Sequence, residues 1–530
     1  MSLGLLGGLA LGPVAQPVLA QSPISAIEWL DRRAGVAARP EGQQQLAAQP
    51  LPTGPGAARR LPADEPPVAS RIVTPEVTTL PLDAPHAGAV GLLPRDVTGL
   101  PATLWRDSLT RPLIRKIEAL DVARLPAMQS LFYTLLLAEA DPPQDAGLTM
   151  SFLLARVAAL TDLGAVEPAL ALVDRAGPET TRDLFASYFD LSLLAGEEDG
   201  ACERMRAEPS LAPSDAALIF CRARNGDWQT AALTFQNSTA LGLIAPAEAT
   251  LMELFLDPEL AEETPPLAPP SRMTPLAFRL SEAVGTPVPS TGLPRAYAMA
   301  DLRGISGWRT EIEAAERLTR SGAVSENRLL GIYTAREPAA SGGIWDRVEA
   351  IQTLDAAITS SDAARISRAL PPAWEALKTI ELEVPFARLW GNELAQYQMD
   401  GRAGRDAMEM ALLSADYETL AKQMQPQTAR DRFLVALAQG EPASVPAPGP
   451  LAESIARGFD PAAEVPASIR LDLARGLLGE ALLSAIRLYA QAAEGETKDI
   501  VPALATLRAA GMQDAARRAA LQLMLLERRS

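Results

Sequence analysis

The sequence predicts an all-α fold: an irregular α-solenoid of antiparallel helical hairpins, preceded by a proline-rich arm that is extended or disordered. Apolar residues make up 48% of the 530 residues but aromatic residues only 5%, and most of the apolar residues are Ala and Leu, which favour helix. From about Trp105 onward, apolar residues recur at helical spacing. The sequence contains no sustained run of alternating β-branched residues, the pattern that is typical of strands.

Residues 1–20 have the pattern of a signal peptide. Residues 3–11 form an apolar block that is too short to span a bilayer, which needs about 20 residues. Pro13 and Pro17 disfavour a longer helix, and small or apolar residues precede Gln21, where a signal peptidase would cut. Because no Lys or Arg precedes the block, a disordered apolar N-terminus is the alternative. The pattern predicts a periplasmic protein whose mature chain has no integral membrane span.

The next two segments differ from each other in composition. Residues 21–36 predict a short amphipathic helix, because Ser25 suits an N-cap and Trp29 is among the apolar residues that follow it. Residues 37–104 are rich in Pro and Ala, a composition that disfavours long helices and predicts a linker. The linker becomes more apolar after residue 73, and from there we expect it to be partly docked on the folded body.

An α-helical repeat body is predicted over residues 105–530, with possible breaks near 257–275 and 439–450, where prolines cluster. The composition is similar on both sides of each break, which favours long loops within one architecture over linkers between domains. Short connections predict that neighbouring helices are antiparallel. The clearest predicted helices cover residues 125–140, 147–164, 166–177, 178–196, 214–226 and 228–242.

The chain has two cysteines, Cys202 and Cys221. In an oxidising compartment, an even number of cysteines at short separation predicts a disulfide. Two buried free thiols are the alternative if the protein is not exported. A redox site is disfavoured because the sequence has no Cys-x-x-Cys motif.

Three predicted turns share one spacing, in which a Gly is followed five residues later by an Ala. The pairs are Gly164 and Ala169, Gly226 and Ala231, and Gly511 and Ala516. Gly allows the left-handed conformation that ends a helix, and Ala allows the next helix to cross close to the first. In this spacing the chain resembles degenerate tetratricopeptide-type repeats, although no strict 34-residue period is present. An irregular helical bundle is the alternative.

The order of signal, Pro/Ala-rich arm and Ala/Leu/Arg-rich helical body is similar to that of exported alphaproteobacterial helical-repeat proteins sometimes labelled antifreeze-glycopeptide-like. This resemblance implies an exported helical protein and assigns no site residues.

Charge and motif content exclude several classes of function. The net charge of −17 disfavours nucleic-acid binding, which depends on Lys and Arg that neutralise phosphates. The only histidine, His86, lies in a proline-rich segment, so we expect no metal site and no histidine-based catalysis. The phosphate-binding, dinucleotide-binding and serine-hydrolase motifs are absent. We therefore expect no cofactor.

One segment supports an alternative, enzymatic hypothesis. Residues 451–468 resemble the Glu-Ser region of peptidoglycan lytic transglycosylases, with Glu453 and Ser454 as the matching pair. The resemblance implies that Glu453 would act as acid and then base from an apolar pocket. Additional residues separate this pair from Gly458, and the downstream glycine-rich signature of the family is missing. An ordinary helix ending at Gly458 is the simpler interpretation.

The predicted function is that of a periplasmic, non-catalytic scaffold or adaptor that binds a protein or peptide partner in the cell envelope. Stacked hairpins present a concave surface that suits an extended partner. Trp228 is predicted to be a packing anchor. The tryptophans from Trp308 to Trp390 are predicted to pack in the core or at its rim, with a peptide or glycan groove as the alternative.

Overall fold

The computed structural model describes residues 87–147, 149–265 and 267–526. The predicted signal peptide, the predicted helix over 21–36, His86 and most of the predicted linker lie outside the described residues. The described ranges contain helices and connecting loops but no β-strand, and a single isolated bridge joins Leu93 and Ala138. The all-α class predicted from the sequence is confirmed.

Helices occupy most of the first half of the described chain. They are α1 (Arg95–Thr98), α2 (Thr110–Glu118), α3 (Pro126–Leu137), α4 (Ser151–Asp162), α5 (Val166–Ala176), α6 (Arg182–Ala195), α7 (Glu198–Ala207), α8 (Asp215–Arg224), α9 (Trp228–Ala240), α10 (Pro246–Leu256), α11 (Pro258–Glu263) and α12 (Pro275–Ala283).

The second half continues the same pattern of helices joined by short turns. Its helices are α13 (Trp308–Arg320), α14 (Glu326–Thr334), α15 (Ile344–Thr359), α16 (Ala363–Thr379), α17 (Glu383–Leu394), α18 (Gly401–Leu413), α19 (Tyr417–Ala421), α20 (Ala429–Ala438), α21 (Pro450–Gly458), α22 (Ala467–Ala474), α23 (Leu478–Ala493), α24 (Ile500–Ala509) and α25 (Gln513–Leu525). Short 3₁₀ segments cover Ala87–Ala89, Pro178–Thr180, Pro209–Leu211, Ser290–Gly292, Arg295–Leu302, Pro442–Ser444 and Thr497–Asp499.

Side-chain caps explain where several helices begin. At α6, the Thr181 hydroxyl accepts a hydrogen bond from the Leu184 N–H, so the helix begins at Arg182 rather than at the predicted residue 178. At α20, Thr428 and Asp431 form a reciprocal capping box. Such caps satisfy N–H groups that have no partner in the first turn of a helix.

Helix α3 is buried on all sides. Every residue of α3 except Ser130 and Thr134 is buried, which fits a sequence that is apolar around the whole helix rather than along one stripe. It packs against α4, α23 and α25. Its Gln129 side chain also donates to the Arg320 carbonyl at 2.9 Å, and its Tyr133 hydroxyl donates to the Ser321 carbonyl at 3.2 Å. Helix α3 is therefore enclosed by elements from both the first and the second half of the chain.

The two ends of the described body pack against each other. The Lys116 ammonium in α2 donates to the Ser484 hydroxyl in α23 at 2.9 Å, and the Gln522 side chain in α25 accepts from the Ala127 N–H in α3 at 2.8 Å. The Gly479 N–H donates to the Leu104 carbonyl at 3.3 Å. The first and last hairpins of the body therefore contact each other. The sequence predicted the hairpins but not this contact between the two ends.

The packed body begins before residue 105, the predicted start. Leu92, Leu93 and Leu100 are buried in the common core, and the Leu92 and Leu93 N–H groups both donate to the Leu137 carbonyl, at 2.8 and 3.0 Å. Apolar residues of the late linker thus join the core without forming a long helix. The same contact ends α3 at Leu137, three residues before the predicted end.

The two predicted breaks contain short elements rather than long structureless linkers. Helix α11 lies within 257–275, and its N-cap Asp257 accepts a hydrogen bond from the Leu260 N–H at 3.2 Å. The 3₁₀ segment Pro442–Ser444 lies within 439–450 and packs against α20 and α21.

Candidate functional site

The hairpin of α7 and α8 is joined by a disulfide between Cys202 and Cys221. Both residues are buried, and their Cα atoms lie 4.9 Å apart. One turn before Cys202, the buried Glu198 carboxylate accepts from Arg279 of α12 at 2.7 Å and lies 3.5 Å from Arg224 of α8. The disulfide and this buried ion pair together fix α7, α8 and α12 to one another, so the cysteines have a structural role here.

The three glycines of the predicted turns adopt the left-handed conformation. Their φ angles are +85° at Gly164, +84° at Gly226 and +83° at Gly511. The alanines five residues later, Ala169, Ala231 and Ala516, are each 0% exposed.

The structure contains two further turns of this kind that the sequence analysis missed. Gly196 precedes Ala201 and Gly476 precedes Ala481, both glycines have a φ of +80°, and both alanines are completely buried. The Gly-to-Ala spacing was visible in the sequence at these positions as well.

The turn geometry explains the spacing. At Gly164, the glycine N–H donates to the Thr161 carbonyl and the next N–H, that of Ala165, donates to the Leu160 carbonyl, both at 2.8 Å. These two bonds satisfy the last carbonyls of α4. The following helix then crosses where a buried Ala permits close approach. These glycines and alanines therefore shape the turns between neighbouring helices.

The four tryptophans of the second half pack in the core. Trp374 and Trp390 are 1% and 3% exposed, and the rings of Trp308 and Trp345 lie 5.1 Å apart. The Trp374 indole N–H donates to the Glu409 carboxylate at 3.1 Å. These contacts leave no row of exposed indoles to line a peptide or glycan groove.

Trp228 differs from the other tryptophans that the structure describes. One side of its ring contacts Phe255 of α10, with 5.8 Å between centroids, yet 47% of the residue is exposed. Three further exposed apolar side chains follow it on α9 and the turn after it: Leu233, Leu241 and Leu243, at 61%, 73% and 60%. We refer to these four residues as the α9 surface.

The α9 surface is uncharged as well as apolar. No Asp, Glu, Lys or Arg occurs from residue 228 to residue 247, although charged residues make up 21% of the chain. Large exposed apolar side chains with few charges around them are typical of interaction sites, and the cores of protein interfaces are depleted in charge.

Helix α9 is held to the body along one narrow face. Only Ala231 and Ser238 are buried in this 13-residue helix. The Ser238 hydroxyl donates to the Asp215 carboxylate of α8 at 2.6 Å, and Arg222 of α8 hydrogen-bonds the Thr234 hydroxyl. The remaining faces are directed away from α8, so a partner could reach them without any rearrangement of the core.

Glu453 lies in α21 and is exposed. The Ser454 hydroxyl accepts from the Arg457 guanidinium of the same helix at 3.1 Å. The resemblance to lytic transglycosylases implies a carboxyl group in an apolar pocket, and the exposed position of Glu453 does not provide one.

Among the described residues, no group of three or more His, Cys, Asp or Glu side chains could hold a metal ion. Among the described helices, none combines the length and hydropathy that crossing a bilayer requires. Comparisons with protein-family models, curated proteins and solved structures found no match to this chain.

Proposed function

We propose that this protein is an exported, non-catalytic helical-repeat scaffold or adaptor that binds a protein or peptide partner of the cell envelope through its α9 surface. The observation that carries the proposal is the combination of four exposed apolar residues with a 20-residue uncharged segment in a strongly acidic chain. An isolated exposed leucine would need no explanation, whereas four large exposed apolar side chains within one uncharged segment do.

The sequence predicts a partner that binds a concave surface. Because the hairpins form a closed arrangement, we place the proposed contact on the outer surface of the body instead. Helices from the two ends of the body pack together, α2 with α23 through Lys116 and α3 with α25 through Gln522. The α9 surface on the outside of the body is therefore the better supported position. Trp228 is the candidate anchor, since partly exposed tryptophans dominate binding energy at many interfaces.

Export is supported by the Cys202–Cys221 disulfide, because disulfides persist mainly in oxidising compartments. The intact mass of the native protein, measured with and without reductant and alkylation, tests it. We expect a mass that begins at Gln21 and two thiols that are blocked until reduction. A full-length mass with two free thiols would contradict export.

Photo-crosslinking in the cell tests the binding surface. A photoreactive amino acid at Leu233 or Leu241 should give a discrete adduct with one partner after irradiation. The matched controls are Leu109 and Leu471, leucines with exposures of 48% and 49% outside the α9 surface. The proposal fails if all four positions give the same adducts, or if none gives any.

The non-catalytic part of the proposal has its own test. In a peptidoglycan gel assay, the wild-type protein should give no zone of clearing. A zone that disappears in the Glu453→Gln variant would contradict the proposal and favour the transglycosylase alternative.

A further inference from the structure

An open cavity of about 490 Å³ lies beside the central helix α3. Its walls come from the loop before α3, the start of the 3₁₀ segment Arg295–Leu302, the end of α13 and the turn between α16 and α17. The lining contains four arginines and one acidic residue: Arg124, Arg295, Arg317, Arg320 and Glu381.

Three of these arginines are fixed by backbone carbonyls. Arg295 donates to the Asp162 carbonyl at 2.9 Å and Arg320 donates to the Ile380 carbonyl at 2.8 Å. Arg317 donates to two carbonyls, at 3.0 and 2.6 Å. All three side chains are half-buried, so their guanidinium groups are held in place before any ligand arrives.

The positive charge of these arginines is not matched by carboxylates. Glu381 forms a bidentate pair with Arg124. Within the described part of the chain, Arg295, Arg317 and Arg320 make no salt bridge. Asp162 interacts electrostatically with Arg295 and is itself partly buried. Even with Asp162 included, the cavity holds more arginines than carboxylates in a chain of net charge −17.

The arginines are close enough to repel one another. Burial lowers the pKa of Arg317, and the charges of Arg295 and Arg320 lower it further. A protein that only needed donors for these four backbone carbonyls would not have to place three guanidinium groups around one open space. A negative ligand in that space would offset the repulsion, and its charge would compensate for the cost of partial desolvation.

Donor capacity remains after the carbonyls are satisfied. Each guanidinium carries five N–H donors. The hydrogen bonds among the described residues use one at Arg295, one at Arg320 and two at Arg317. The Ser321 and Thr379 hydroxyls that also line the cavity already donate to carbonyls, at 2.6 Å each. The arginines are therefore the donors that a ligand would meet.

We infer that this cavity is a binding site for a small molecule that carries more than one negative charge on oxygen, as a phosphate or as a polycarboxylate, held by Arg295, Arg317 and Arg320. Guanidinium forks match the geometry of both groups. The volume lies within the range of small-molecule sites, roughly 300–1,000 Å³, so the cavity has room for a molecule larger than a bare phosphate ion. This inference is independent of the α9 surface.

Titration calorimetry of the full chain tests the site, with inorganic phosphate and citrate as probes at constant ionic strength set by sodium chloride. We expect saturable binding of at least one probe. Arg317→Gln and Arg295→Gln should each weaken it at least about tenfold, because each variant removes one charged donor to the oxyanion. The tighter probe shows whether the site prefers phosphate or carboxylate.

Arg309→Gln is the matched control, since Arg309 lies on the same helix as Arg317 but is exposed and pairs with Glu313. This variant should bind as the wild type does. Because a cavity variant could be poorly folded, protection from phenylglyoxal provides a second measurement on the wild type. The probe should protect Arg317 and Arg320 but not Arg309. The inference is overturned if neither probe binds saturably, or if protection and affinity do not distinguish the cavity arginines from Arg309.

Discussion

At the scale of single residues, the same glycine conformation occurs in different surroundings. Gly164 and Gly226 have nearly equal φ angles, +85° and +84°. A Cβ at Gly164 would lie 2.5 Å from the Cδ2 of Leu318, a fully buried side chain, whereas a Cβ at Gly226 would meet nothing within 4 Å. Backbone strain and steric overlap can therefore be separated in this protein.

Replacement of each glycine by alanine measures the two effects. Gly226→Ala should lower the free energy of unfolding by about 1 kcal/mol, because only the left-handed backbone is penalised. Gly164→Ala should cost roughly 1–3 kcal/mol more, since buried Leu318 must shift. Urea denaturation measures both, and equal losses would show that the Leu318 contact contributes nothing.

Asp190 is a residue whose charge should oppose folding. Burial, followed by the nearby Glu248 carboxylate, raises the pKa of Asp190 to about 6 from an ordinary value of 3.8. The folded protein therefore binds more protons than the unfolded chain between these two values. The stability contributed by protonated Asp190 is complete below the unfolded pKa and is lost as the pH rises through the folded pKa.

The Asp190→Asn variant should consequently gain stability relative to the wild type as the pH increases from 4 to 7. Asparagine does not titrate and does not repel Glu248. Thermal unfolding of both proteins across this range measures the difference in melting temperature. A difference that is the same at both ends of the range would contradict the assignment.

At the scale of elements, the α7–α8 hairpin is the one whose two helices are joined by a disulfide. The Cys202–Cys221 bond spans 19 residues, and a loop of this size is expected to stabilise the fold by about 3 kcal/mol through the entropy of the unfolded chain. Reductant should therefore move the denaturation midpoint to lower urea concentration by a corresponding amount. The Cys202→Ser/Cys221→Ser variant should match the reduced wild type and should not respond to reductant. A midpoint that is insensitive to reductant would contradict a structural role.

The elements were predictable where the signal was local. Helical periodicity identified α4 and α9 from the sequence, and proline and glycine marked most of the connections. The predicted helix boundaries were less accurate. The Thr181 cap determines where α6 begins, and the pairing of Leu93 with the end of α3 determines where α3 ends. Exposure of Trp228 was also not predicted, since a tryptophan at the start of a helix is usually packed.

At the scale of the whole molecule, the closure of the body and the arginine cavity depend on residues far apart in sequence. Gly479 meets Leu104 and Trp105 across more than 370 positions. The cavity combines Arg124 with arginines near residues 295–320 and the turn at 381. Contacts between residues so far apart in sequence cannot be predicted from local periodicity. Arginine is also too common in this chain for its position alone to indicate a site.

Closure is the central structural claim, because it leaves the outside of the body, where the α9 surface lies, as the better supported place for a partner. Gly479 lies inside helix α23, and a Cβ there would overlap the Trp105 ring and lie 3.0 Å from the Leu104 carbonyl. The most direct measurement is the free energy of unfolding of Gly479→Ala, alone and combined with Trp105→Leu. The closed structure predicts that Gly479→Ala destabilises by about 1–3 kcal/mol and costs less when Trp105 is replaced. In an open solenoid, Gly479 would lie on a free helix, and the same change would stabilise by up to about 1 kcal/mol, which would contradict the account.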